Sequence, residues 1–321
     1  MNNIAVEVLD LAKCYGKFWA LKGISFSVRK GEIFGFLGPN GAGKTTTLRI
    51  ITGLSKPSRG EAFVLNHSVT RDEIWVKQHI GVVPEVSNLY PELSVFDNLI
   101  FIGQLYDLPL KRRIFRAEKL LKEFALYEKR NILFSKLSKG MKRKLTIAAS
   151  LMHEPEVLFL DEPTTGLDVL SSRNLRNLIK KLNQNGTTIF LTTHNIREAD
   201  ELCNRIAIIV NGEIIAIDSP QNLKDKTPSR NLLLIRVDKV TENLKEKLLN
   251  LKGVKGVIQE NSLFRIQSDE INSILSSIFK LFNEEKIKID SINTSSPSLE
   301  DAFVYLTGLD LEIMKIDKEI K

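Results

Sequence analysis

Residues Ile33-Phe34-Gly35-Phe36-Leu37-Gly38-Pro39-Asn40-Gly41-Ala42-Gly43-Lys44-Thr45-Thr46 decide the fold. With Glu32 before them, the first five read as a strand buried on both faces, the pattern of a parallel sheet covered by helices. Gly38 to Thr45 then fits G-x-x-x-x-G-K-[ST], a loop whose glycines let backbone N–H groups converge on phosphate oxygens. A helix expected from Thr45 to about Thr52 adds its positive N-terminal end. Lys44 supplies a mobile cation for β- and γ-phosphates, and the Thr45 hydroxyl is placed to ligate Mg²⁺. A strand before the loop and a helix after it distinguish this site from an ordinary Gly-rich turn. Gly38, Pro39, Asn40, Gly41, Ala42, Gly43, Lys44, Thr45 and Thr46 are therefore expected to bind nucleotide.

Further strands are expected at Ile80–Val83, Val157–Leu160 and Thr187–Thr192, alternating with helical patterns, which makes the first 228 residues an α/β domain. Val157–Leu160 runs into Asp161-Glu162-Pro163. Acids at the C-terminal end of a buried strand lie in the crevice where α/β sheets bind ligands. Asp161 is expected to hold Mg²⁺ through its shell, and Glu162, pointing elsewhere, to act as general base on water. Taken alone, two such acids read as a solvated loop; the phosphate loop 117 residues earlier changes that balance.

The 321 residues suffice for one large or two medium domains, and 43% apolar with 26% charged residues is ordinary for a globular chain. The N-terminus lacks the pattern of a secretory leader, and no stretch approaches the ~18 apolar residues of a membrane span. Two distant cysteines, Cys14 and Cys203, suit a reducing compartment. Net charge is +7, yet residues 97–150 alone hold 13 Lys or Arg against 5 Asp or Glu. Such localisation argues against diffuse nucleic-acid binding, and no nucleic-acid partner is expected. The cluster at Lys111, Arg112, Arg113 and Arg116 reads equally as a solvated helix face or as a surface for anionic lipid or an acidic partner. Lys139, Lys142 and Arg143 would add positive potential for phosphates arriving from a second chain.

Residues 97–153 look helical throughout and read as an insert between sheet strands. The polar run Asp225-Lys226-Thr227-Pro228-Ser229 is the best linker, dividing the chain at 228/229. Beyond it, strands at Leu232–Val237 and Ser262–Gln267 and helices at Thr241–Leu251 and Ile271–Glu284 outline a small α+β domain over 229–321 with a charged tail.

Asp161-Glu162-Pro163-Thr164-Thr165-Gly166-Leu167-Asp168 resembles the Walker B and D-loop run of ABC transporter ATPases. Leu137-Ser138-Lys139-Gly140-Met141 resembles their L-S-G-G-Q signature, and Leu191-Thr192-Thr193-His194 their switch-histidine strand. Tyr15, 23 residues before Gly38, matches the aromatic that stacks on adenine, and Pro84-Glu85 falls at the Q-loop. Ser298-Leu299-Glu300-Asp301-Ala302-Phe303 is similar to the end of the extra C-terminal domain of the ABC-2-type drug- and antibiotic-exporter subgroup.

The resemblance implies a RecA-like phosphate-loop NTPase core with a helical insert, and a head-to-tail homodimer with two ATPs at the interface. It assigns Ser138 and Gly140 to the ATP of the partner chain, Asp168 to the D-loop, His194 to the γ-phosphate and Glu85 to Mg²⁺ alongside Thr45 and Asp161. It implies ATP hydrolysis coupled to export through a separate integral membrane permease, with this subunit peripheral on the cytoplasmic side of the cell membrane. A lone strand-end histidine is more often incidental, and Ser138 also reads as a plain helix cap. Glu85, Lys139 and Met141 depart from the family's Gln, Gly and Gln. Rival readings are an ATPase acting on ribosomes or DNA, disfavoured by a single cassette without sustained heptads, and an ATP-holding regulatory module, disfavoured by intact Glu162 and His194.

Overall fold

The structure is a computed structural model that describes residues 3–227, 231–268, 271–295, 297–309 and 314. Three nearly continuous apolar runs form its centre: β3 (Ile33–Leu37), β7 (Val157–Asp161) and β8 (Thr188–Thr193) are buried at every position. They belong to a six-stranded sheet ordered β10-β9-β3-β8-β7-β6. β6 (Ile80–Val83) and β9 (Arg205–Val210) extend it in parallel, and β10 (Glu213–Asp218) closes one edge antiparallel. The expectation of a mostly parallel sheet holds, with each strand shifted by a residue at most.

A second sheet of the same unit, ordered β2-β1-β4-β5, is antiparallel: β1 (Ile4–Tyr15), β2 (Phe18–Arg29), β4 (Arg59–Val64) and β5 (His67–Ser68). Phe26 of β2 meets Phe34 and Phe36 of β3 and Phe190 of β8, with ring centroids 5.3 to 6.0 Å apart. This aromatic layer joins the two sheets, and each such buried ring contributes about 1.5–3 kcal/mol by removal from water. Helices α1 (Lys44–Ile51), α2 (Glu73–His79), α6 (Val169–Gln184) and α7 (Ile196–Leu202) complete the core.

Between β6 and β7 the chain is helical, as expected: α3 (Val95–Leu105), α4 (Leu110–Glu123) and α5 (Lys139–Ser150), with 3-10 turns at 127–129 and 134–136. Ser138 caps α5 by accepting the Met141 N–H, as foreseen, but α5 stops at Ser150 and not near Glu154. Beyond the Leu151 cap, Glu154 has a φ of 59°, which is not helical, so the helix does not resume before Pro155. Its carboxylate instead binds Arg112 and, at 3.1 Å, Arg116. Arg116 also donates to the Leu151 carbonyl at 2.7 Å, and Arg113 to Gln104 at 3.0 Å. Three of the four cations in the α4 cluster are thus engaged within the chain and Arg116 is buried, which leaves Lys111 and Arg112 as its exposed charges.

By internal packing the chain divides into Met1–Pro220 with Leu309–Lys321, and Gln221–Gly308. The division precedes the polar stretch taken as the linker, of which 228 and 229 lie outside the described residues. The reason is α8 (Pro220–Asp225), whose Leu223 is fully buried and already part of a packed element. The second unit runs β11 (Asn231–Val237), α9 (Leu244–Leu249), β12 (Val254–Glu260), β13 (Leu263–Ser268), α10 (Ile271–Glu284), β14 (Ile289–Ser295) and α11 (Leu299–Thr307). Its sheet is antiparallel throughout in the order β12-β13-β11-β14, with Phe264, Ile266, Ile274, Ile278 and Phe282 in its core.

Candidate functional site

Strand register brings the chemistry together. Leu37 of β3 pairs with Thr193 of β8, and Asp161 of β7 with Thr192. Gly38, Glu162 and His194 therefore leave the sheet side by side at its C-terminal edge, where ligands of parallel sheets bind.

The loop after β3 requires its glycines. A Cβ on Gly38 would lie 2.2 Å from the Ile209 carbonyl oxygen, and Gly43 has a φ of 109° with a Cβ position 2.8 Å from the Ala20 carbonyl oxygen. α1 begins directly after it, at Lys44. Lys44 Nζ donates to the carbonyls of Gly38 (2.7 Å) and Pro39 (3.1 Å) and lies 3.3 Å from Glu162 Oε1. Asp161 Oδ1 accepts from the Thr192 hydroxyl and, at 3.4 Å, from the Thr45 hydroxyl, so two of the expected metal ligands are adjacent.

Glu162 takes a φ of 47°, a left-handed conformation that turns its side chain off the strand direction. Its N–H donates to the Thr192 carbonyl at 3.1 Å, which holds that turn. Glu162 Oε2 lies 2.9 Å from His194 Nδ1 and accepts from the His194 N–H (3.3 Å) and the Thr165 hydroxyl (3.2 Å). Burial pushes the Glu162 carboxyl up, but the His194 hydrogen bond and the Lys44 charge outweigh it and hold the group below the ordinary glutamate value. It is an ionised acceptor in a nearly dry position.

These residues line one cleft of about 300 Å³ together with Tyr15, Asn40, Gly41, Gly43, Thr46 and Glu85. Gly38, Pro39, Ala42 and Asp161 do not line it; Ala42 and Asp161 are buried. Ser138, Gly140 and Asp168 stand apart from the cleft. Asp168 caps α6, accepting the Ser171 N–H at 2.8 Å, and Gly140 packs against the Ser171 side chain. Sequence reasoning missed Phe18, Ala20 and Thr165 as lining residues. Phe18 pairs with Tyr15 across a two-residue Gly16-Lys17 turn, so the cleft mouth carries two exposed aromatic rings. The Tyr-Gly-Lys-Phe sequence is itself a hairpin cue. Arg143, read from sequence as potential for a second chain's phosphates, is instead buried among backbone carbonyls of its own chain.

Comparison with known proteins agrees with this geometry. The family described as ABC transporter matches residues 21–165. The linearmycin resistance ATP-binding protein LnrL of Bacillus subtilis is 36% identical over 305 residues, covering 94% of this chain and 98% of that protein. The daunorubicin/doxorubicin resistance ATP-binding protein DrrA of Streptomyces peucetius is 34% identical, covering 95% and 92%. The dimeric post-hydrolysis structure of the ATP-binding cassette MJ0796 with ADP and Pi is 30% identical at a TM-score of 0.61, covering 67% of this chain and 98% of that one. With its phosphate loop, the acids Asp161 and Glu162 and His194 at one sheet edge, and with relatives matched over nearly their whole length, the chain belongs to the ABC transporter family, among its ATP-hydrolysing cassettes.

Proposed function

We propose that this subunit hydrolyses ATP to power export of a substrate through a separate membrane permease, working as a homodimer on the cytoplasmic membrane surface. The observation that carries it is the convergence of Lys44, Thr45, Glu162 and His194 in one cleft, with Asp161 buried beside Thr45. The loop N–H groups and Lys44 hold the β- and γ-phosphates. Glu162 accepts the proton of the attacking water, and His194 contacts the γ-phosphate and orients Glu162. Tyr15, with Phe18 beside it, stacks on adenine. Ser138 and Gly140, standing outside their own cleft, serve the partner's ATP, and Asp168 belongs to the D-loop.

Thr45, Asp161 and Glu85 supply hard oxygen donors that fit Mg²⁺. Among the described residues no cluster of three or more His, Cys, Asp or Glu could hold a metal by itself, which suits an ion that takes its other ligands from phosphate and water. Bound there, Mg²⁺ supplies charge stabilisation for the transferring phosphoryl group.

The permease reading is supported by a cleft of about 470 Å³, lined largely by apolar side chains that include Leu54, Val82, Leu89, Ile102 and Leu105. Leu54 and Leu105 are 63% and 62% exposed there, and Pro84, next to Glu85, forms part of its wall. No helix among the described residues is long and apolar enough to cross a membrane, so transport needs another chain. The names of LnrL and DrrA support antibiotic-type cargo. The test is co-purification with a multi-span membrane protein and stimulation of ATPase by it. Leu105→Asp should abolish both while leaving basal ATPase intact; association unaffected by that change, or association with ribosomes in its place, would reject the reading.

A further inference from the structure

Arg143 lies on α5, five residues beyond Ser138, and is only 8% exposed. Its Nε donates to the Pro163 carbonyl at 2.9 Å and Nη2 to the Asp161 carbonyl at 2.6 Å. Nη1 donates to the carbonyls of Pro84 and, at 3.3 Å, Glu85. One guanidinium thus grips the backbone on both sides of Glu162 and the backbone that carries Glu85. Burial lowers its proton affinity, while the carboxylates of Asp161, Glu198, Glu85 and Glu162 favour its charge. The planar fork is what allows four acceptors in three directions; an ammonium is a point donor on a flexible stem and cannot span them.

We propose that Arg143 is a positioning residue for hydrolysis, fixing Glu85, Asp161 and Glu162 to the helix that presents Ser138 and Gly140. A displacement of α5 is then passed to the carboxylates that act on metal and water. The proposal rests on the reading of Glu162 as the base. The phosphate loop receives no contact from Arg143, so nucleotide affinity is set elsewhere, whereas a shift of the base by about 1 Å is enough to lose ~10²-fold in rate.

The experiment compares Arg143→Lys and Arg143→Met in the full chain, measuring kcat, KM, affinity for a fluorescent ATP analogue and melting temperature. Arg116→Met is the control: it removes another buried guanidinium, from α4, that touches Glu154 and the Leu151 carbonyl and no residue of the cleft. Expected are a kcat lowered ten-fold or more, on the order of the loss from a displaced base, with KM and affinity little changed, no rescue by lysine, and a control that loses melting temperature but keeps kcat. Near-normal kcat in Arg143→Met overturns the proposal. So does a loss of rate that only follows the loss of folded protein, as in the control, including failure of both variants to fold. Full turnover in Glu162→Gln would instead remove the base assignment, a result read independently of the Arg143 variants.

Discussion

Lys44 and Glu162 form an ion pair at 3.3 Å with both side chains less than a tenth exposed. The cation proposed for phosphate and the carboxylate proposed for water thus share one buried contact, and bound ATP would have to redirect Lys44 without dislodging Glu162. Glu162→Gln keeps the shape and leaves Lys44 its two loop carbonyls, so ATP binding should persist. Hydrolysis should fall by about 10²–10⁴-fold, the usual contribution of a general base. Single-turnover assays should find bound ATP uncleaved, and size-exclusion chromatography should find a nucleotide-held dimer. Turnover within a few-fold of the native rate would reject the base assignment.

The acid limb of the pH profile follows from the same contacts. Glu162 is held below its ordinary value against burial, chiefly by His194 and Lys44. Its stabilising contribution is therefore present above the unfolded value and lost as pH falls through the folded one, in the acid range below about 4.5. In the native chain Glu162 stays ionised across neutral pH. His194→Ala removes the largest lowering influence and leaves burial in place, so the acid limb of residual kcat/KM should move to higher pH. A limb that stays put would mean His194 does not set the state of Glu162.

Glu85 lines the cleft where the family has Gln. A carboxylate is the better ligand for a hard cation. Glu85→Gln should raise the Mg²⁺ concentration for half-maximal ATPase, with maximal rate largely kept at saturating Mg²⁺. An unchanged titration would leave Glu85 as a solvated loop acid.

Legibility followed burial. β3, β7 and β8 were readable because both faces are apolar, and the site was readable because its residues sit at their ends. β1 was not: bulges between Val8 and Leu11 and between Lys13 and Cys14 destroy its alternation. β12 carries Gly256 at a register shift, and β14 carries Asp290, Ser291 and Asn293, weak strand formers. Arg143 was hidden in Lys142-Arg143-Lys144, where three adjacent cations look alike but helical geometry turns one inward.

The α4 cations are mainly structural. Arg116 is buried against Glu154 and the Leu151 carbonyl, so Arg116→Met should destabilise by about 1–3 kcal/mol through a carbonyl left without its donor. Reversing Lys111 alone should leave stability and membrane recruitment unchanged at any salt concentration. A loss of recruitment on Lys111→Glu that shrinks as salt is raised would restore the basic-surface reading.

Tyr15 and Phe18 face each other across the Gly16-Lys17 turn, and both rings are about half exposed or more. Lys13 Nζ lies 5.1 Å from the Tyr15 ring centroid and steadies it. A stacked base contributes about 1–3 kcal/mol, so Tyr15→Ala should weaken ATP binding by roughly 5- to 150-fold. Phe18→Ala is expected to weaken it less, since Phe18 lines the cleft from the other strand of the hairpin and Tyr15 is the ring assigned to adenine. Tripolyphosphate has no base to stack, so its affinity should be unchanged in both variants. The discriminating measurement is the ratio of ATP to tripolyphosphate affinity by calorimetry. A drop in both ligands would mean the hairpin shapes the phosphate loop, which Ala20 and Leu21 of the same hairpin touch at Gly43, and that the rings are not an adenine platform.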